Sequence, residues 1–131
     1  MALLKELVGE WKVIGCQLHG KWLPYSIFQE FRYSFNENDT FALEWAELSY
    51  PMFVGGFPKS KSGAVKLNSS VTPNQIDLIP DEGPFKGQAL QGLFELDHDV
   101  LKAIFSFPGT PRPEVFHTKQ GQVYEIWQRT K

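Results

Sequence analysis

The sequence predicts an all-β protein, an antiparallel barrel preceded by a short N-terminal helix. Three observations lead to this prediction. Eight or nine short segments alternate between apolar and polar residues, and turn residues separate them at regular spacing. The composition is rich in the aromatic residues that suit sheets, with eleven Phe, four Trp and four Tyr. A Gly-x-Trp sequence opens the first alternating segment and an arginine ends the last, so these segments are candidates for the two strands that close the barrel.

The helix is predicted over residues 2–8, because leucines at positions 3, 4 and 7 share the spacing of one helical turn. Gly9 ends the helix and permits a sharp bend, and Trp11 brings a large apolar side chain to the first strand. We expect Arg129 to lie over the Trp11 ring as a cation–π partner, a contact worth about 0.5–2 kcal/mol. The alternative is that Trp11 is an ordinary core residue and Arg129 a solvated charge.

The first strand is predicted over residues 10–18. Its alternation places Trp11 and Val13 on one face and Cys16 on the other. Cys16 is the only cysteine in the chain, so an intrachain disulfide is excluded, which agrees with a reducing compartment.

The clearest hairpin joins residues 29–35 to residues 40–48, because both segments alternate cleanly around the polar turn 36–39. In the proline-rich loop 108–113, Arg112 is expected to pair with a nearby carboxylate or to reach water. The remaining predicted strands are 63–67, 75–79, 88–96, 100–107, a brief one at 114–118, and 122–129.

Residues 49–62 interrupt this pattern with an apolar stretch rich in Pro and Gly, which argues against a regular helix or a central strand. We interpret it as a long loop that carries Tyr50, Met52, Phe53 and Phe57. Because loops lie on surfaces, an apolar loop either packs back over the barrel mouth or presents a contact patch.

Bulk properties limit the possible functions. A chain of 131 residues predicts a single domain over 1–131. The formal charge of −2, without a run of Lys or Arg, argues against a nucleic-acid partner. No apolar run approaches the roughly 20 residues that span a bilayer, and the N-terminal residues are too charged for a signal peptide. We therefore expect a cytoplasmic protein, and the sequence indicates no particular oligomeric state.

The sequence contains no familiar catalytic or metal-binding pattern. The three histidines fall at predicted turns, none at metal-ligand spacing, so we expect neither a metal nor a cofactor. Arg32, Glu44 and Glu125 each lie in an alternating segment, and an inward carboxylate there would be a candidate proton carrier. The alternative is that these are outward charges on the wet face of the sheet, since a shift of one residue exchanges the faces.

Five motifs follow one another along the chain: Leu-x-Gly-x-Trp-Lys-Val at 7–13, Gly-Lys-x-Leu-Pro at 20–24, the Ile-Asp-Leu and Glu-Gly-Pro segment at 76–87, Gly-x-Phe-Glu-Leu-Asp-x-Asp-x-Leu-Lys at 92–102, and Pro-Gly-x-Pro-Arg-Pro at 108–113 followed by Phe116. Together they resemble a bacterial family of small lipocalin-like domains of uncharacterised function. The resemblance implies an eight-stranded, up-and-down barrel of the calycin type, in which Gly9, Trp11 and Arg129 match the family's Gly-x-Trp and terminal arginine. It implies no established activity. The chain departs from the family at 49–58, where other members are usually short and polar.

Three functions are consistent with these features. The first is binding of a small hydrophobic or aromatic ligand inside the barrel, suggested by the surplus of aromatic residues. Its candidate wall residues are Tyr33, Trp45, Phe105 and Trp127, and its candidate mouth cover is formed by Met52, Phe53 and Phe57.

The second is a cofactor-independent cyclase or isomerase that folds an apolar substrate in the barrel and uses a buried carboxylate or tyrosine to move a proton. The third is a protein-interaction module that docks through the 50–58 loop. Buried polar atoms in a tunnel would favour the enzyme. A uniformly apolar cavity would favour the ligand-binding protein, and a packed interior with an exposed loop would favour the interaction module.

Overall fold

Antiparallel strands make up more than half of the residues that the structure describes. A computed structural model gives the structure of residues 5–28, 31–44, 53–54, 57–58, 62–83 and 85–130. The strands are β1 (Gly9–Leu18), β2 (Lys21–Trp22), β3 (Arg32–Phe35), β4 (Thr40–Glu44), β5 (Phe53–Val54), β6 (Phe57–Pro58), β7 (Ser62–Asn68), β8 (Asn74–Pro80), β9 (Leu90–Asp97), β10 (Val100–Ser106) and β11 (Gln122–Arg129), with the one-turn helix α1 (Tyr25–Phe28) between β2 and β3.

Eight of these strands close into a barrel. Each of β1, β3, β4, β7, β8, β9, β10 and β11 pairs with the next in antiparallel fashion, and β11 pairs back onto β1, with Trp11 opposite Arg129. The extra strand β2 pairs with the end of β1, and β5 and β6 form a separate two-stranded hairpin. The prediction of an antiparallel barrel closed by the first and last strands is therefore confirmed.

Two ends of the barrel follow from the pairing. The lower end holds the start of β1, the end of β11, and the turns at 36–39, 69–73 and 98–99. The upper end holds the end of β1, the segment from β2 through α1, and the connections at 81–89 and 107–121. Short turns thus lie at the lower end, and the longer connections lie at the upper end.

Two of the predicted elements are wrong. The helix over residues 2–8 is not seen: residues 5–7 form a turn, with the amide of Val8 donating to the Lys5 carbonyl, and residues 1–4 lie outside the described residues. The turn suits Leu7, which is completely buried and accepts a hydrogen bond from Trp11. Residues 114–118 do not form a strand. Residues 114–117 are bends, and the segment is attached to the barrel through the side chains of Phe116 and Thr118 rather than through strand pairing.

A β-bulge in β1 decides which side chains face inward. Val13 lies opposite Trp127 and Gly15 opposite Ile126, so Ile14 is the extra residue. Trp11 and Val13 are buried before the bulge, and Cys16 after it. The expectation that Cys16 faces away from Trp11 is wrong, because the bulge exchanges the two faces of the strand.

The segment at 107–121, which we call the belt, crosses the outer face of the barrel. At one end Arg112 pairs with Asp77 on β8, with a nitrogen–oxygen distance of 2.7 Å, and also donates to the Gly92 carbonyl on β9. At the other end the Thr118 amide and hydroxyl both donate to the Gln17 side-chain oxygen on β1. Of the two alternatives for Arg112, pairing with a carboxylate is therefore the one that the structure shows.

Beneath the belt lies a second, smaller core on the outside of the sheet. Leu93, Ile104 and Tyr124, on three neighbouring strands, are buried there, and Phe116 from the belt packs on Tyr124 with 6.2 Å between ring centroids. The sheet is consequently apolar on both faces at β9, β10 and β11, whereas antiparallel sheets often keep one face wet.

Candidate functional site

An aromatic cluster occupies the barrel interior. We call it the Trp127 cluster: the Trp127 ring lies 4.5 Å from the Tyr33 ring, 5.4 Å from Phe35 and 6.4 Å from Phe105, measured between centroids. Trp127 is completely buried, and the other three rings are at most 3% exposed. Such a cluster combines large apolar contact area with defined ring geometry.

Strand register and alternation position these rings. Trp127 lies opposite Val13 on β1 and Leu101 on β10, and each of these three side chains is buried in the main core. Phe105 points inward across from Gly92, where a Cβ atom would lie 2.6 Å from the Phe105 ring. The glycine therefore leaves the space that the ring occupies.

The predicted wall and cover residues fall into two groups. Tyr33, Phe105 and Trp127 lie together in the interior, whereas Trp45 and Met52 lie outside the described residues. Phe53 and Phe57 belong to the β5–β6 hairpin, of which the backbone alone is described.

Phe35 is a member of the Trp127 cluster that the sequence analysis did not select as a wall residue. Phe35 lies two positions after Tyr33 in the same alternating segment, and this alternation was the signal that could have identified it as a wall residue.

Glu125 brings a carboxyl group into this interior. It shares the inner face of β11 with Val123 and Trp127 and is 1% exposed. Its Oε1 accepts a hydrogen bond of 2.9 Å from Trp127 Nε1. Burial of a polar group is costly unless it is hydrogen-bonded, and the indole N–H of Trp127 is one group that compensates this carboxyl.

The other two candidate proton carriers lie on the opposite face. Arg32 and Glu44 are cross-strand partners on β3 and β4, and each is next to a buried residue, Tyr33 or Leu43. Arg32 donates to the Phe31 carbonyl, and Glu44 is exposed. The structure thus brings Glu125, and neither Arg32 nor Glu44, to the Trp127 cluster.

Cys16 is a further polar group near Glu125 that the sequence analysis placed on the other face. It is the cross-strand partner of Glu125 and is 2% exposed. The inner face therefore carries a thiol and a carboxyl group on adjacent strands, with the indole N–H of Trp127 beside them. These groups can accept or donate hydrogen bonds, and the carboxylate can accept a proton.

The lower end of the barrel is closed around Arg129. Its Cζ lies 4.3 Å from the centroid of the Trp11 ring, and its guanidinium donates to the carbonyls of Glu6 and Val8. Gly9 adopts a φ of 128°, and a Cβ atom there would lie 3.2 Å from Arg129 Nη1. The glycine thus permits both the bend of the chain and the approach of the guanidinium.

Aromatic residues also lie at the upper end. The Phe107 ring is 5.9 Å from Phe85 and 6.1 Å from the His19 ring, and His19 Nδ1 accepts a hydrogen bond from the Gly121 amide. These contacts join the turn after β1, the connection at 81–89 and the belt at the end of the barrel opposite Arg129.

The outer surface offers a different kind of site. Belt residues and Gln122 line a groove of about 310 Å³.

Within the described part of the chain, no three His, Cys, Asp or Glu side chains come together in a way that could hold a metal ion. None of the helices that the described ranges contain is long and apolar enough to cross a membrane.

Tyr124, under the belt, has a perturbed hydroxyl group. Burial raises the pKa of Tyr124 above its ordinary value, and the negative charge of Glu95 raises it further. The hydroxyl therefore stays neutral to higher pH than an exposed tyrosine would.

Comparisons with known proteins gave no relatives: no protein-family model, no curated protein and no solved structure matched the chain.

Proposed function

We propose that this chain binds a small hydrophobic or aromatic molecule in the interior of a lipocalin-like barrel. The observation that carries the proposal is the Trp127 cluster, a group of buried rings on the inner face with the carboxyl group of Glu125 hydrogen-bonded to one of them. Apolar walls with a few placed polar groups are typical of small-molecule sites, and the interior of an eight-stranded barrel is either filled by side chains or holds one small ligand. We place this binding protein in the cytoplasm.

Access in this proposal is from the upper end. The lower end is closed by Arg129, Trp11 and the turn at 5–8, whereas the upper end is surrounded by longer connections, including the one at 81–89. Met52, Phe53 and Phe57 would cover this mouth, and deleting residues 51–57 would then alter ligand uptake.

The proposal can be tested with an apolar fluorescent probe, N-phenyl-1-naphthylamine. Phe105 is in the Trp127 cluster and Phe116 is under the belt, so Phe105→Leu and Phe116→Leu form a matched pair inside and outside the barrel. We expect Phe105→Leu to weaken probe binding about fivefold through the loss of aromatic contact area, and Phe116→Leu to leave it unchanged. If Phe116→Leu weakens probe binding and Phe105→Leu does not, the site lies in the outer groove. A wild-type protein that binds no probe would contradict the proposal.

Native mass spectrometry of protein isolated from its own host provides a second test. A retained small molecule of apolar character is the expected result. A chain that carries no guest from its host and binds no probe would instead favour the interaction module.

A cofactor-independent cyclase or isomerase is the second candidate, and the buried Glu125 favours it. A carboxylate at this position would take a proton from an apolar substrate that the surrounding rings hold in one conformation, and Tyr33 would be the second proton carrier. The wild type and Glu125→Gln should then retain different isomers when both are isolated from the host and extracted for chromatography. The same molecule in both proteins would indicate binding without catalysis.

A further inference from the structure

We propose that the groove lined by belt residues and Gln122, which we call the belt groove, is a second binding site and takes a small carboxylate with a short apolar body. The belt crosses the outer face of the barrel, so this inference goes beyond the proposed function and does not depend on binding in the interior. The groove has a volume of about 310 Å³, and small-molecule sites range upward from about 300 Å³. The belt groove therefore suits a compact ligand.

A buried side-chain amide forms part of the belt groove. Gln122 is 6% exposed, and its Oε1 accepts a hydrogen bond from the Lys119 amide while its Nε2 donates to the Ser106 hydroxyl. The Ser106 hydroxyl gives its own proton to the Pro111 carbonyl and can only accept from Gln122, so this network fixes the orientation of the amide. The second N–H of Nε2 has no acceptor among the residues that the structure describes. Because a buried donor without an acceptor is costly, an acceptor oxygen of a ligand is stabilised here.

Positive charge lies at the same end of the belt groove as this amide. Lys119 and Gln122 are the ends of one turn, in which the Gln122 amide donates to the Lys119 carbonyl. Thr118 is buried, and its hydroxyl donates to Gln17 on β1. His117 and Lys119, on either side of Thr118, are exposed and line the groove. The attachment of Thr118 therefore leaves an ammonium group and an imidazole beside the buried amide.

A hydroxyl group lies beside the same turn. A Cβ atom at Gly121 would lie 2.8 Å from Thr110 Oγ1, and Thr110 also lines the groove. The turn thus brings together an amide N–H from Gln122, an ammonium from Lys119 and a hydroxyl from Thr110. A carboxylate has about four lone-pair sites on its two oxygens, so it can accept from all three. Bonds from an ammonium to a carboxylate are stronger than neutral ones, which favours the acid over a neutral ligand.

The other charged residues of the lining, Arg112 and Glu114, lie toward the opposite end of the belt groove. Both also line a second groove, which neither Lys119 nor Gln122 lines. The Arg112 guanidinium pairs with Asp77 at 2.7 Å, so its charge is already matched. Glu114 is the acidic member of the lining, and its place beside the second groove leaves the Lys119 end positive.

Apolar side chains supply the remaining wall of the belt groove. Pro111, Pro113 and Val115 line it, and Val115 is 55% exposed. A short apolar body removes this surface from water when it binds, which an inorganic anion such as phosphate cannot do. The walls therefore favour an organic acid over phosphate.

Four probes test this assignment: phenylacetate, the neutral 2-phenylacetamide, the cationic 2-phenylethylamine and inorganic phosphate. In NMR titrations of the wild-type protein at pH 7, we expect phenylacetate to bind about fivefold more tightly than 2-phenylacetamide. The largest shifts should fall on the backbone amides of residues 119–122. Equal affinities of acid and amide, tighter binding of the amine, phosphate binding as tight as phenylacetate, or no binding of phenylacetate would each overturn the inference.

Variants assign the preference to the turn. Lys119→Met removes the charge and should bring phenylacetate and 2-phenylacetamide to within about twofold of each other, whereas Lys102→Met, at an exposed position on β10, should keep the preference. Gln122→Glu keeps an acceptor for the Lys119 amide but loses the N–H donors, so it should weaken phenylacetate binding. Circular dichroism establishes which variants fold, and if Gln122→Glu does not, Lys119→Met decides the question. A fivefold preference that survives in Lys119→Met would show the inference to be wrong.

The two proposals fail in different ways. Phe105→Leu, in the Trp127 cluster, should leave phenylacetate binding unchanged. If Phe105→Leu weakens it instead, phenylacetate enters the barrel, and the belt groove inference is wrong while the proposed function is supported. If phenylacetate binds at residues 119–122 and N-phenyl-1-naphthylamine does not bind, the proposed function is wrong and the inference stands.

Discussion

Arg129 shows how one side chain can hold two ends of a chain together. Its guanidinium covers the Trp11 ring, donates to two carbonyls of the turn at 5–8, and lies 3.4 Å from the Asp99 carboxylate in the neighbouring hairpin. Lysine could not reproduce this set, because a guanidinium offers five donors in a plane and an ammonium offers three from a single point.

We expect Trp11→Ala to lower the free energy of unfolding by about 3–5 kcal/mol, since it removes a large, completely buried side chain. Arg129→Ala should cost less, about 1–3 kcal/mol, because it loses a cation–π contact and hydrogen bonds at a partly exposed site. Urea unfolding measures both values.

Lys102→Ala, at an exposed position on β10, is the control and should change stability by less than about 0.5 kcal/mol. A Trp11→Ala protein as stable as this control would show that the indole does not anchor the lower end.

At the scale of elements, the belt is the least conventional part of the fold. It contributes no strand to the barrel, and it is attached by side chains at its two ends, Arg112 on Asp77 and Thr118 on Gln17. The Thr118 hydroxyl also accepts a hydrogen bond from the Gly20 amide, so this end of the belt joins the turn after β1 as well.

We expect Thr118→Val to destabilise the protein by about 1–3 kcal/mol, because the shape is kept while the Gly20 amide and the Gln17 oxygen each lose a partner. Thr118→Ser keeps the hydroxyl and should recover most of this loss. Urea unfolding, together with the rate of tryptic cleavage after Lys119, checks the prediction. Equal stability of the valine and serine variants would mean that the hydroxyl does not hold the belt.

Sequence patterns predicted those elements whose determinants are local. The hairpin around 36–39 was predicted because two alternating segments flank a polar turn. The strand over 122–129 was predicted because its residues alternate up to the arginine that ends it. The bulge at Ile14 was not, because nothing in the local sequence marks the extra residue. The belt was mistaken for a strand at 114–118, since its anchors Asp77 and Gln17 are distant in sequence.

The residues of the candidate site were also predicted only in part, because alternation is visible in the local sequence and strand register is not. Tyr33, Phe105 and Trp127 were selected because aromatic residues in alternating strands tend to face a core. The choice of Glu125 over Arg32 and Glu44 needed the strand register, because all three occupy similar alternating segments.

At the scale of the whole molecule, Tyr124 links stability to alkaline pH. Its folded-state pKa is raised by burial and by Glu95, so the unfolded chain releases this proton at lower pH than the folded protein does. Tyr124 therefore has no effect on the pH dependence well below about pH 10, and the stability it contributes is lost as the pH rises from there toward the folded-state pKa.

The measurement compares the free energy of unfolding between pH 8 and pH 11 for the wild type and Tyr124→Phe. We expect the wild type to lose stability more steeply above about pH 10, by up to about 1.4 kcal/mol per pH unit relative to the variant. Tyr25→Phe, at a tyrosine that is 56% exposed, should follow the wild-type curve. Parallel curves for the wild type and Tyr124→Phe would contradict the assignment.

The outer core beneath the belt has a consequence for how the protein can change. Leu93, Ile104 and Tyr124 hold β9, β10 and β11 together from the outer side of the sheet, away from the Trp127 cluster. Under the proposed function, cohesion of the sheet and choice of ligand would be carried by different sets of side chains. A lineage could then replace the rings around Trp127 while the outer set continues to supply the stability that such replacements consume.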